Sequence, residues 1–306
     1  MRMLRVACLF AAFLAIAPSL PAQPNPLLAP KLSGNIFVQH FVVFGKGGDS
    51  DLHADIAWPK DATGPLPAII HIHGGGWIGG TYHGGGIERL AQEGYFAATI
   101  EYRLDNVAKW PAQIQDCKCA VRWLRANAAK YNVDPNRIGV IGESAGGHLV
   151  ACLGTMAGVK EDEGDGGWPG VSSAVQAVVD FYGPVDFMQK ASFANYGPAL
   201  FGTTYAANPD LWKSGCPLFS VAAGDPPMLL VHGDADPIVP IAQSRSFDAA
   251  LTKAGVPHQL LVVKGAKHGF MPFLAKEPDS AKSIDQTVLD FFKQNLGPVT
   301  PPAPAK

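Results

Sequence analysis

The chain has 306 residues, 47% of them apolar, and a formal charge of −2. That composition is ample for one α/β core covered on both faces. A nearly balanced charge gives no electrostatic reason to expect nucleic acid or an anionic membrane surface as a partner.

Residues 1–22 read as a secretory signal: Arg2 and Arg5 lead, an apolar stretch runs from Val6 to Ala17, and a short segment ends at Ala22. The apolar stretch is too short to span a bilayer, so no membrane insertion is expected. Cleavage would leave 284 residues at a formal charge of −4 and would place the protein in the periplasm or outside the cell. After the extended segment Pro24 to Pro30, Asn35 to Phe44 and Leu52 to Trp58 alternate as an antiparallel hairpin around Gly45–Gly48. Ala68 to Ile72 is a short buried strand bounded by Pro65 and Pro67, and it runs into His73-Gly74-Gly75-Gly76-Trp77. Consecutive glycines leave the amides of Gly75 and Gly76 without side-chain cover, free to converge on one carbonyl oxygen. Trp77 needs a packing site beside them and is assigned to substrate binding at the pocket mouth. His71 and His73, at the end of a strand and beside the glycine run, are not read as a metal pair.

Ile114, Cys117, Val121, Leu124 and Ala128 recur at helical steps and form a buried stripe, with Cys119 off it. The run Arg137 to Ile141 then enters Gly142-Glu143-Ser144-Ala145-Gly146, the form of a nucleophile elbow. The helix from Ala145 to Ala157 points its N-terminus at Ser144, so the Ala145 amide joins Gly75 and Gly76 as a candidate oxyanion donor. Glu143 is given a supporting role beside the nucleophile, and His148 a structural one. Cys119 and Cys152 lie on the helices flanking the elbow strand, so a bridge between them competes with four free thiols on the mature chain.

Two insertions follow. Residues 158–170 carry Glu161, Asp162, Glu163 and Asp165, and a solvated turn is the expected state. Residues 188–220 are rich in aromatic side chains, for which packing of a small helical cap competes with a sugar or phenolic contact surface. Pro227 to Gly233 is another buried strand, leading to Asp234-Ala235-Asp236-Pro237. A helix over Ile241 to Ala254, a strand His258 to Lys264, and His268 complete the pattern. Either aspartate fits a triad acid, and His268 fits the base. A C-terminal helix spans Ser280 to Leu296, and residues 297–306 form a proline-rich tail.

Serine, aspartate and histidine in that order, each at the end of a strand, is the arrangement of the α/β-hydrolases. The chain resembles the hormone-sensitive-lipase-like and carboxylesterase group, closest to small bacterial feruloyl-esterase-like enzymes. The resemblance rests on His73–Trp77, Glu101-Tyr102-Arg103-Leu104, Pro111–Lys118, Arg122–Arg125, Gly142–His148, Phe181–Pro184 and His232–Pro240. It implies one α/β-hydrolase domain over residues 23–296, with a mostly parallel sheet of about eight strands and helices on both faces. It also implies Asp236 as the acid, in a catalytic set Ser144, Asp236 and His268 that needs no cofactor and no metal. The implied partner is a small-molecule or oligosaccharide ester, such as an acetyl or feruloyl ester of plant polysaccharide. His232–Pro240 also resembles the prolyl-oligopeptidase peptidases, and a hydrolase-fold module without catalysis is the other alternative.

Overall fold

The structure, a computed structural model, describes residues 30–188, 196–270 and 278–302. The leader expected over residues 1–22 lies outside them, as does part of the aromatic insertion. One sheet organises the described residues, in the order β1-β2-β3-β5-β4-β6-β7-β8-β9. Its antiparallel edge is β1 (Lys31–Ser33), β2 (Ile36–Gly47) and β3 (Ser50–Pro59), and β3 pairs antiparallel with β5 (Phe96–Ile100). The remaining pairs are parallel: β4 (Leu66–Ile72), β6 (Val133–Glu143), β7 (Ala177–Phe181), β8 (Met228–Gly233) and β9 (His258–Val263). The sheet therefore has nine strands rather than eight, because the three-residue β1 adds an edge too short to show alternation. The hairpin turn is also tighter than expected, with Gly47 and Ser50 paired across Gly48 and Asp49.

Parallel strands buried on both faces read as continuous apolar runs, and β4 shows how the two faces are used. Ala68, Ile70 and Ile72 join the larger core with α2 (Ala112–Ala126), α4 (Ala145–Thr155) and α7 (Ala242–Ala254), whereas Ile69 joins the opposite core with α8 (Pro278–Leu296). Helix α1 (Ile87–Gln92) covers that second face beside β2 and β5. Between α2 and β6 lies the short α3 (Ala128–Tyr131), separated from α2 at Asn127. Ala128 therefore belongs to a new helix, although it continues the apolar stripe.

Two expectations need correction, and the open choice over the cysteines is decided. The acidic insertion is not a freely solvated turn: Asp162 is buried, and Glu163 bonds Lys118 Nζ at 3.1 Å, Arg122 Nη1 at 2.8 Å and Ser173 Oγ at 2.7 Å. Lys118 is fully buried in α2 and Arg122 nearly so, and a buried cation needs an anionic partner. Glu163 supplies it. Cys119 is buried as well, because this insertion covers its side of α2 at Gly166. The four described cysteines are free thiols: Cys119 lies against Gly45 and Gly166, while Cys152 Sγ is 3.3 Å from His148 Nε2, so the two do not form a bridge. Burial pushes the Cys119 thiol up to about 11.

In the aromatic insertion, α5 (Gly197–Phe201) and α6 (Pro209–Ser214) form a small cap. Phe201 and Trp212 are buried and stack with centroids 5.1 Å apart, so core packing accounts for these two rings. Tyr196 has a different place, described below.

Candidate active site

Ser144 stands between β6 and α4 at φ 55° and ψ −115°, a backbone conformation costly for any residue with a Cβ. The surroundings hold it there. The Ser144 amide donates to the Phe181 carbonyl at 2.9 Å, and its own carbonyl accepts the His148 amide at 2.9 Å. The flanking glycines are required by close approach: a Cβ on Gly146 would lie 2.0 Å from the Ile72 oxygen, and one on Gly142 would lie 2.5 Å from the Gly146 oxygen. The β6–α4 turn can therefore press against the end of β4 only without side chains at these positions.

Three distant segments meet at Ser144. His268 Nε2 lies 2.9 Å from Ser144 Oγ, and His268 Nδ1 lies 2.7 Å from Asp236 Oδ2. A carboxylate can only accept, so Nδ1 carries the proton and Nε2 is left to accept from the serine hydroxyl. Asp236 Oδ1 accepts the amides of Ile238 at 2.8 Å and Val239 at 3.0 Å. Burial alone would raise the Asp236 pKa; hydrogen bonds from His232, His268 and these two amides outweigh it and hold the carboxyl well below the usual range. Asp234 faces elsewhere, its Oδ1 accepting the Gly265 amide at 2.6 Å in an exposed turn. Of the two aspartates, only Asp236 meets the histidine.

The glycine loop approaches from the end of β4. Gly75 has φ 117° and Gly76 φ 63°, a left-handed path open to glycine, and Trp77 follows at φ 63°. The amides of Gly75, Gly76 and Ala145 have no protein acceptor among the described residues, and Ala145 is the first residue of α4. Glu143 holds this loop. Its Oε1 accepts the Gly74 amide at 3.0 Å and its Oε2 the His71 Nε2–H at 2.8 Å, while His71 Nδ1 accepts from the Thr99 hydroxyl at 3.1 Å. Burial would raise the Glu143 pKa, but the bond from His71 leads the opposing effects and keeps the carboxyl ionised below its ordinary value. Glu143→Ala is expected to lower kcat about 10- to 100-fold with KM little changed, because one support of the candidate oxyanion donors is lost while their amides remain. Steady-state kinetics on a small aryl ester would check this, and a KM effect alone would remove Glu143 from loop positioning.

A cavity of about 580 Å³ opens over these groups, within the range of small-ligand sites. Trp77 lines it from a buried position, edge-on to His148 and Phe187, so it forms wall rather than mouth. The exposed apolar residues lining the cavity are Ile78 and Ile238. Sequence reasoning passed over Tyr182 and Tyr196. The Tyr182 ring meets His268 edge-on at 4.8 Å, and Tyr196 lies where a Cβ on Gly76 would come within 3.4 Å of its ring. Tyr182 belongs to the Phe181–Pro184 run that marked the family resemblance, which was the available signal; Tyr196 had none beyond its aromatic neighbourhood. His148 is a structural residue as expected: fully buried, it bonds the Gly215 carbonyl at 2.8 Å, and burial pushes it down to about 4. Among the described residues no histidine, cysteine and carboxylate group has the arrangement of a metal site, and no helix is long and apolar enough to cross a membrane.

The chain is also similar to known proteins. Residues 54–251 match the family model described as BD-FAE, and residues 212–300 match one described as TAP-like protein. The esterase LipC of Mycobacterium tuberculosis is 32% identical over 264 residues, which cover 81% of this chain and 64% of LipC. The chain thus spans between half and two thirds of the length of LipC and of two further curated relatives that it matches. A truncated carbohydrate esterase from gut microbiota superposes with a TM-score of 0.74 at 31% identity, covering 88% of this chain and 99% of that one. An acetyl ester-xyloside bifunctional hydrolase from Caldicellulosiruptor lactoaceticus gives a TM-score of 0.68 at 28% identity, with 90% and 91% covered. With the elbow, the glycine loop and the sheet order in place, the chain belongs to the BD-FAE family of α/β-hydrolases, within the hormone-sensitive-lipase-like carboxylesterase group.

Proposed function

We propose that this protein is a serine carboxylic ester hydrolase in which Ser144 is the nucleophile, His268 the general base and Asp236 the acid. The observation that carries the reading is the unbroken line from Ser144 Oγ through His268 to Asp236, with spacings of 2.9 and 2.7 Å. As Ser144 attacks an ester carbonyl, His268 Nε2 takes its proton, and Asp236 stabilises the resulting imidazolium. The amides of Gly75, Gly76 and Ala145 receive the developing oxyanion, helped by the N-terminal dipole of α4. His268 then returns the proton to the departing alcohol, leaving an acyl-enzyme that water hydrolyses by the same steps.

The substrates we assign are short acyl or aromatic acyl esters, with acetyl and feruloyl esters of plant polysaccharide as the leading class. The apolar wall of Trp77, Tyr196, Ile78 and Ile238 supports an acyl or aromatic group. The polysaccharide side of this proposal draws on the carbohydrate esterase and the acetyl ester-xyloside hydrolase to which the fold is similar. Export through the residue 1–22 leader fits a polymeric substrate outside the cytoplasm. Turnover of p-nitrophenyl acetate that is blocked stoichiometrically by a serine-directed phosphonate is the expected result. A panel of acetylated and feruloylated xylan fragments, alkyl esters and arylamides should then favour the esters. Absence of both turnover and labelling would overturn the reading in favour of a binding module, and arylamide preference would favour a peptidase.

A further inference from the structure

Behind the triad lies a second, fully buried imidazole that the reaction scheme above does not use. His232 is the penultimate residue of β8, and its side chain has no exposure. Its Nε2 lies 2.8 Å from the Val239 carbonyl and 3.5 Å from Asp236 Oδ2, and its Nδ1 lies 2.7 Å from Ser244 Oγ. We infer that His232 is a positioning residue for the Asp236 carboxylate, fixed in one tautomer by Ser244. This inference rests on the triad reading given above.

The atom assignments follow from donor and acceptor chemistry. A carbonyl can only accept, so Nε2 carries a proton and donates to Val239, with the same proton leaning toward Asp236 Oδ2. Nδ1 is then the acceptor of the Ser244 hydroxyl. His232 thus ties the beginning of the acid loop to its end, since Val239 is also one of the two residues whose amides hold Asp236 Oδ1. Ser244 is itself held in place. Next to it on α7, Gln243 accepts the amides of Val185 and Asp186 at 2.8 Å and donates to the Asp186 carbonyl at 3.1 Å. The groups facing His232 are Asp236 from the acid loop, Ser244 from α7, Tyr182 edge-on at 6.3 Å, and the buried carboxyl of Asp180 on β7.

Removing the Nε2–H donor should have two consequences. The carboxylate loses part of its orientation, and misplacement of such a group can cost up to about 100-fold in rate. Asp236 Oδ2 also loses a competing donor, so its negative charge acts more fully on the imidazolium that forms at His268 during the reaction. Merely structural support would lower the fraction of competent enzyme without moving a pH profile.

The test uses the full chain with p-nitrophenyl acetate, with competent sites counted by phosphonate labelling. His232→Leu is expected to lower kcat per labelled site about 10- to 100-fold, with KM within about threefold. The acid limb of kcat/KM should move to higher pH. His232→Gln, which keeps an N–H donor at the same reach, should restore most of the loss. Ser244→Ala, a smaller change that serves if the leucine variant fails to fold, should move the acid limb in the same direction with a smaller loss in kcat. An unmoved acid limb in the folded variants, with loss of rate matched by loss of labelled sites, would overturn the inference while leaving the triad reading intact. A wild-type protein that neither turns over the ester nor takes the label would overturn both.

Discussion

Ser144→Ala is expected to remove hydrolysis of p-nitrophenyl acetate almost completely, by about 10⁶-fold in kcat, the scale on which nucleophile removal acts when the histidine and acid remain. The size follows from chemistry. Without Oγ no acyl-enzyme forms, and the oxyanion donors can assist only direct attack by water. The fold should survive. Among the described residues the side chain makes one hydrogen bond, to His268, and loses about 1 kcal/mol with it. The left-handed backbone at φ 55° is as unfavourable for alanine as for serine, so the strain is unchanged. Circular dichroism and melting should therefore match wild type while phosphonate labelling disappears. Retention of more than a tenth of wild-type activity would exclude Ser144 as the nucleophile.

The second large effect is Asp236→Asn, expected to lower kcat by about 10⁴-fold through a tautomer error rather than a loss of shape. The structure dictates which way the new amide must face. Asp236 Oδ1 accepts the Ile238 and Val239 amides, so the asparagine oxygen will remain there and its NH₂ will take the position of Oδ2. That NH₂ would face the Nδ1–H of His268, donor against donor. His268 escapes by moving its proton to Nε2, where it can no longer accept from Ser144. Loss of the low-field Nδ1–H proton resonance should accompany the loss of rate. Activity within tenfold of wild type, with that resonance retained, would mean that His268 does not depend on Asp236 and would reopen the choice of acid.

The elbow and the glycine loop were legible in the amino-acid sequence because each is built from residues that lie next to one another in the chain, and the order of serine, acid and histidine was legible because each follows its own apolar run. Gly142 and Gly146 bracket Ser144 within five residues, and the apolar run of β4 leads directly into Gly74–Gly76. Choosing Asp236 over Asp234 needed family resemblance, since both follow the same strand; the reason appears only in space, where Asp234 turns to Gly265 and Asp236 to His268. The acidic insertion misled because a run of charges read along the chain looks solvated, whereas Lys118 and Arg122 approach from α2, more than 40 residues earlier, and bury it. The separation of Cys119 from Cys152 was equally invisible: which way each thiol points depends on what packs over its helix. Local motifs set which groups could react, since a strand-turn-helix needs only its own residues to form. Tertiary packing decided which of them meet and which charges are neutralised, along with the clamp of His232 and Ser244 behind the acid, because hydrogen-bond partners across 12 to 124 positions are selected by the sheet order and not by their neighbours in the chain.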